Sequence, residues 1–280
     1  MLSPASAGPT IHHEAIDWAK RASANGGAIS TNVLRAVSDF CRAANAGSFR
    51  SSLYRLNLFC GGNLSGCLVP LYLGPTFGGT SLGSSTDTNA NFVSADFIET
   101  GTGGGLKGNG TTKYLNTGLA PNALPSVTSI HLSASATSAA TTGNYIFIGA
   151  RDGNASGHFT LNEFSASSNG RSYTCGTITV GQFPSVSSPG SSEPHMIGSR
   201  TSATSAVVYR SGVSAASNAT SITPTTHANA FYVFGGNLSG GNTGASSATI
   251  RAYSIGTGLD SNQAAAFSAA VIAFNSALGR

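Results

Sequence analysis

Acid–base chemistry in this chain of 280 residues rests on ten carboxylates and six histidines. The acids are Glu14, Asp17, Asp39, Asp87, Asp96, Glu99, Asp152, Glu163, Glu193 and Asp260. Glycoside hydrolysis on a β-scaffold needs two carboxylates side by side, one with its pKa raised to serve as the acid. A clustered E-x-D-x-x-E run is absent. Asp96 and Glu99 in "ADFIET" come nearest, and their three-residue spacing on a strand sends them to opposite faces. His12 and His13 are neighbours in a helical pattern and so face different ways. His131, His158, His195 and His227 are scattered among strands and loops, and no G-x-S-x-G accompanies them, so a Ser-His-Asp hydrolase has no support. The expectation is a chain that is not an enzyme.

Cofactor motifs fare the same way. Cys41, Cys60, Cys67 and Cys175 form no C-x-x-C pair and have no histidine at zinc-ligand spacing, so neither a metal nor another cofactor is expected. Cys60 and Cys67 bracket "GGNLSG" and would close a small loop if oxidised, although buried free thiols are the commoner state in a domain of this size. "GTGGGLKGNGTT" (101–112) has the glycines and lysine of a phosphate loop but no Gly-Lys-Ser/Thr, and it reads as a hairpin loop with a turn at Asn109-Gly110. "RDGNASG" places Asp152 and Asn154 where a loop could bind calcium, and equally where Asp and Gly make a turn. "GGNLSG" recurs at 61–66 and 235–240, and both copies read as turns.

What remains is binding. Sugar sites set an aromatic face beside amides or carboxylates, and Tyr145, Tyr173, Tyr209 and Tyr232 are the candidates for glycan contact; each lies in a strand and reads equally well as core. Between Lys20 and Arg55 there are six basic residues against one acidic, Asp39. Arg35, Arg42, Arg50 and Arg55 are therefore candidates for a basic docking face, or for solvated helix surface.

These residues need elements to hold them. Only 9% of the chain is charged and 36 residues are glycine, far from an average soluble domain. A net charge of +4 resting on 14 basic and 10 acidic groups is no nucleic-acid footprint. The first twenty residues lack the pattern of a signal peptide, and no run of eighteen apolar residues occurs, so membrane insertion is not expected. Val33, Leu34, Val37, Phe40, Cys41 and Ala44 recur at helical spacing between a Ser30/Thr31 cap and Gly47, predicting a helix over 31–46, with another over 12–24 and a turn or short helix at 53–59. From about 64 to 254, eleven short runs separated by Gly, Asn, Ser and Pro predict strands, "LVPLYL" and "FVSADFIET" among them. Regular strands without intervening helices imply antiparallel pairing.

The fold expected is mainly β: an antiparallel sandwich with an N-terminal helical segment (1–60) used for docking, and a sandwich domain (61–280) closed by a C-terminal helix at 260–277. Asp260 and Gln263 have capping-box spacing, Leu259 is placed to staple against Ala264, and Phe267, Ala270, Val271, Phe274 and Leu278 make one apolar stripe. That helix is expected to cover an edge or end of the sandwich.

Three stretches carry a resemblance. "TNVLRAVSDFCRAANAGSFRSSLYRLNLFCGG", "GLKGNGTTKYLNTGLAPN" and "YSIGTGLDSNQAAAFSAAVIAFNSALGR" are similar, in order and spacing, to segments of bacteriophage structural proteins with a concanavalin A-like, laminin-G-like jelly roll. The resemblance spans residues 31–280; residues 1–30 have no counterpart in it. It supplies no catalytic residues. It implies a non-enzymatic virion component of tail, fibre or capsid-decoration type. Its expected partners are other virion proteins, further copies of itself, a trimer among the options, and a host surface glycan. A soluble glycan-binding lectin and a polysaccharide-degrading tail hydrolase remain the alternatives.

Overall fold

The computed structural model describes residues 10–137, 142–166, 170–187 and 192–280. The chain opens with α1 (His13–Ala24), α2 (Thr31–Ala46), β1 (Leu53–Asn57) and the short α3 (Leu64–Cys67). Next come β2 (Thr88–Ala90), β3 (Phe97–Ile98), β4 (Gly105–Lys107), β5 (Tyr114–Asn116), β6 (Ile130–Thr137), β7 (Asn144–Arg151), β8 (Phe159–Ser165) and β9 (Gly170–Cys175). They are followed by β10 (Ser185–Ser187), β11 (Ser192–Ser202), β12 (Ser205–Arg210), β13 (Val213–Asn218), β14 (Tyr232–Val233), β15 (Gly236–Leu238), β16 (Gly241–Thr243), β17 (Thr249–Gly256) and α4 (Ser261–Ala277).

The strands form the antiparallel sandwich expected from their spacing. The first sheet runs β13-β12-β11-β6-β17-β4-β3, with β1 beside β4 on the free edge of β17. The second runs β10-β9-β8-β7-β14-β5-β2, with β15 and β16 added at β7. Every described pairing is antiparallel except the short one between β15 and β7. The chain passes to the other sheet after β1, β2, β4, β5, β6, β10, β13 and β16, the back-and-forth winding of a jelly roll. Inward residues of both sheets meet in one core: Leu132, Ala134 and Ala136 from β6, Phe147 and Ile148 from β7, Phe159 and Leu161 from β8, and Val208, Ile250 and Ile255 opposite them. Gly198 is required here by close approach, because any Cβ on it would strike the ring of Tyr173.

A second core lies on the other face of the first sheet. Phe40 of α2 packs edge-on against Phe267 and Phe274 of α4. Ile197, Tyr209, Ala252, Leu53 and Leu56 form the sheet side of the same cluster. The helices predicted over 31–46 and 260–277 are present, and Asp260 and Gln263 make the reciprocal capping box. The helix does not seal an edge as expected. Its contacts run to α2, β11 and β13, so it lies across an outer face, with Leu259 and Ala264 buried beneath it.

Two further expectations change. Residues 53–57 are strand, not helix, and pair with β17 through Leu56 and Ser254; the sequence boundary at 60/61 therefore falls just beyond a strand of the main sheet. "LVPLYL" is buried but carries no ladder, only a bridge from Tyr72 to Leu56; Pro70 lacks the N–H a ladder needs.

Candidate functional site

Each described carboxylate is already engaged. Glu14 receives Arg50 Nε at 2.7 Å, Asp17 receives Arg21 Nε at 2.8 Å, and Asp39 receives Arg42 at 2.7 Å. Asp96 receives Lys113 Nζ at 2.6 Å, and Glu99 accepts the Gly61 and Gly62 amides. Asp152 accepts the amide of Asn154 at 2.9 Å, the turn reading of that loop. Glu163 accepts the Ser246 hydroxyl and Asp260 caps α4. The side chain of Glu193 lies outside the described residues. Asp87 is the most enclosed: Arg55 Nη2 and the Tyr253 hydroxyl each donate to its Oδ1 at 2.6 Å, and Asn57 Nδ2 donates to Oδ2 at 2.9 Å.

Serine and histidine do meet, between α4 and the first sheet. His131 Nδ1–H donates to the Thr257 carbonyl at 2.6 Å, which leaves Nε2 to accept from Ser254 at 2.8 Å. Ser133 then donates to Ser254 at 2.7 Å, His195 Nε2–H to Ser133 at 3.1 Å, and Ser268 to His195 Nδ1 at 3.0 Å. The carbonyl fixes both tautomers and the direction of every proton. All five side chains are buried, and among the described residues no carboxylate hydrogen-bonds to the chain, which packs the helix onto the sheet. Burial pushes His131 down to about 4 and His195 down to about 3.

The second sheet differs: among the described residues no helix lies on it. One lateral row across it reads Thr88, Asn116, Tyr232, Gly149, Thr160, Thr174, hydroxyls and amides around one aromatic ring. A cleft of about 290 Å³ opens on this face. Its floor is Thr160, Asn162 and Thr174; Arg151 and His158 stand at one side, and Ile146, Ile178 and Phe183 give apolar walls. Thr160 and Thr174 share a hydrogen bond, and Asn162 Nδ2 donates to Ser172 at 2.8 Å. Arg151 reaches Thr243 Oγ1 at 3.3 Å, and its pKa is lowered by burial alone. Burial, then the Arg151 charge, pushes His158 down to about 4, so it is neutral at pH 7. Among the described residues the lining offers hydrogen-bonding groups and apolar contact and contains no carboxylate.

The tyrosines singled out in the sequence separate. Tyr232 is on this face, stacked on Tyr114 at 4.5 Å, and Tyr145 is half-buried at the start of β7. Tyr173 is not a contact residue: it crosses the core and donates to the Ile130 carbonyl at 3.0 Å. Tyr209 is buried on the helix-covered sheet. The basic face also dissolves. Arg35 is exposed and Arg42 half-buried, but Arg50 is buried against Glu14 and Arg55 is fully enclosed with Asp87. Their partners lie far away in sequence, which a local count of basic residues could not register. Thr160, Asn162, Thr174 and Arg151 were missed because a Ser/Thr/Asn-rich chain gives no spacing signal for them. All four thiols are free and buried, Cys60 and Cys67 included.

No protein-family model matches the chain, and no curated protein does. Among solved structures it is similar to domain 4 of AbnA, a GH43 extracellular arabinanase from Geobacillus stearothermophilus, in complex with arabinotriose. There the identity is 19%, 78% of this chain and 98% of that one are covered, and the TM-score is 0.46. A Trypanosoma rangeli sialidase mutant displaying trans-sialidase activity aligns at 15% identity over 85% of this chain and 39% of that one, TM-score 0.48. The NanB sialidase of Streptococcus pneumoniae aligns at 12% identity over 55% of this chain, TM-score 0.44, and the chain spans about a quarter (26%) of its length.

Proposed function

We propose that the chain is a non-catalytic glycan-binding module whose binding face is the helix-free sheet. The observation that carries this is the cleft on β7, β8 and β9: threonine hydroxyls and an asparagine amide on its floor, apolar walls, an arginine at its side, and no acid among the described residues that line it. Hydroxyl-rich ligands are held by such amide and hydroxyl donors, with apolar side chains against the C–H faces of the sugar. The setting we propose is the surface of a bacteriophage particle, with the helical side of the fold turned toward neighbouring virion proteins and the cleft turned outward. Support for that setting is the resemblance of the three quoted stretches.

A panel of immobilised bacterial surface polysaccharides and their oligosaccharides tests the binding. At least one glycan is expected to bind, with Asn162→Ala weakening it about tenfold, the loss of one hydrogen-bonding group. Retention of no glycan, or wild-type affinity in both Asn162→Ala and Thr174→Val, refutes the site. Mass spectrometry of purified particles tests the setting: absence of the chain from intact virions refutes it.

A further inference from the structure

Three side chains of the types that bind zinc meet where α1 crosses α2, away from the cleft. His12 is the N-cap of α1, Glu14 sits in its first turn and Cys41 lies on α2. One ligand atom from each lies within 4.8 Å of the other two, and His12 Nδ1 is 3.9 Å from Glu14 Oε2. A second observation points the same way. Glu14 is 5% exposed, and its Oε2 has no hydrogen-bond partner. Beside it the Tyr72 hydroxyl, in a residue 2% exposed, has no partner at full hydrogen-bond geometry, and the side-chain hydrogen-bonding group it meets electrostatically is the Cys41 thiol. Buried polar atoms left unpaired are costly and uncommon.

We propose that His12, Glu14 and Cys41 form a binding site for one divalent ion of the zinc class, with the Tyr72 hydroxyl beside it. Ligands around tetrahedral zinc sit about 3.3–3.8 Å apart, so the three groups close by about 1 Å on binding. The outer contacts suit this. Arg50 Nε already holds Glu14 Oε1 at 2.7 Å, leaving Oε2 for the metal. Asn45 lies 3.1 Å from His12 Nε2; with its amide turned so that Oδ1 accepts from Nε2–H, it fixes the tautomer in which Nδ1 carries the lone pair, which without metal accepts the Glu14 amide in a long 3.3 Å capping bond that the ion would replace. Clefts of about 250 and 380 Å³, both lined by Glu14 and Arg50, adjoin the site and give an entry path. Bound metal clasps α1 to α2.

The test uses the full chain, stripped with a chelator and reloaded with zinc or cobalt. The expected results are one zinc per chain after gel filtration and, with cobalt, a near-ultraviolet thiolate-to-metal charge-transfer band that Cys41→Ser abolishes. His12→Asn keeps a helix-capping side chain and is expected to bind zinc about ten- to a hundredfold more weakly. Failure to retain zinc, a cobalt spectrum unchanged in Cys41→Ser, or wild-type zinc affinity in His12→Asn each overturns the site.

Discussion

Lowering the pH from 7 to 5 is expected to destabilise this protein through the serine–histidine chain beneath α4. In the unfolded state His131 and His195 have their ordinary pKa near 6.5, whereas burial holds them at about 4 and about 3 in the fold. Each group is neutral in the native state, so its contribution is fully present above pH 6.5 and is lost progressively as pH falls toward the folded values. Unfolding then takes up one proton per histidine, a slope of about 1.4 kcal/mol per pH unit each, or about 2 kcal/mol each by pH 5. The pair accounts for about 4 kcal/mol, a large fraction of a typical stability of about 5–15 kcal/mol. His158, held at about 4, adds a third proton of the same sign. Urea unfolding at pH 7, 6 and 5 measures the slope, and the double variant His131→Asn/His195→Gln isolates the pair. The variant starts less stable at pH 7 but should lose two protons' worth of slope. A stability flat between pH 6.5 and 5, or a double variant with the wild-type slope, would refute the assignment of these histidines as buried and neutral.

Three other outcomes follow from the packing. Asp87→Asn leaves the Arg55 guanidinium buried without its counter-charge and should cost about 3–5 kcal/mol in urea unfolding. Asp260→Ala removes the cap of α4 and should cost about 1 kcal/mol, read as a lower melting temperature. Burial pushes Cys60 up to about 12 and Cys175 up to about 11, so a thiol-specific reagent at pH 8 should label no cysteine among these in the native protein and all of them in denaturant.

Elements with local signals were legible before the structure. Helix α2 follows from apolar spacing between Ser30 and Gly47, and α4 from Asp260 and Gln263. The strand at 53–57 was not, because all five of its residues are buried: Tyr54 faces one core, Leu53 and Leu56 the other, and the alternation that marks a half-wetted strand is missing. Arg55 misled for a related reason, since its charge is cancelled by Asp87 in a distant loop. The cleft was least legible. Its residues come from three strands and the loop after β9, and threonine and asparagine in this composition look alike whether they line a cleft or a turn. Register across β7, β8 and β9 brings them together, and that is a property of pairing rather than of any one segment.

The pairing of β1 with β17 also governs when the molecule can be finished. Arg55 and the Tyr253 hydroxyl that it donates to are 198 positions apart, and α2 has its main partner in α4. During synthesis α2 and β1 therefore wait for β17 and α4 before they find their places. Such distant closure makes folding slow, and during synthesis the apolar side of α2 stays open to chaperones until the final turn of α4 emerges.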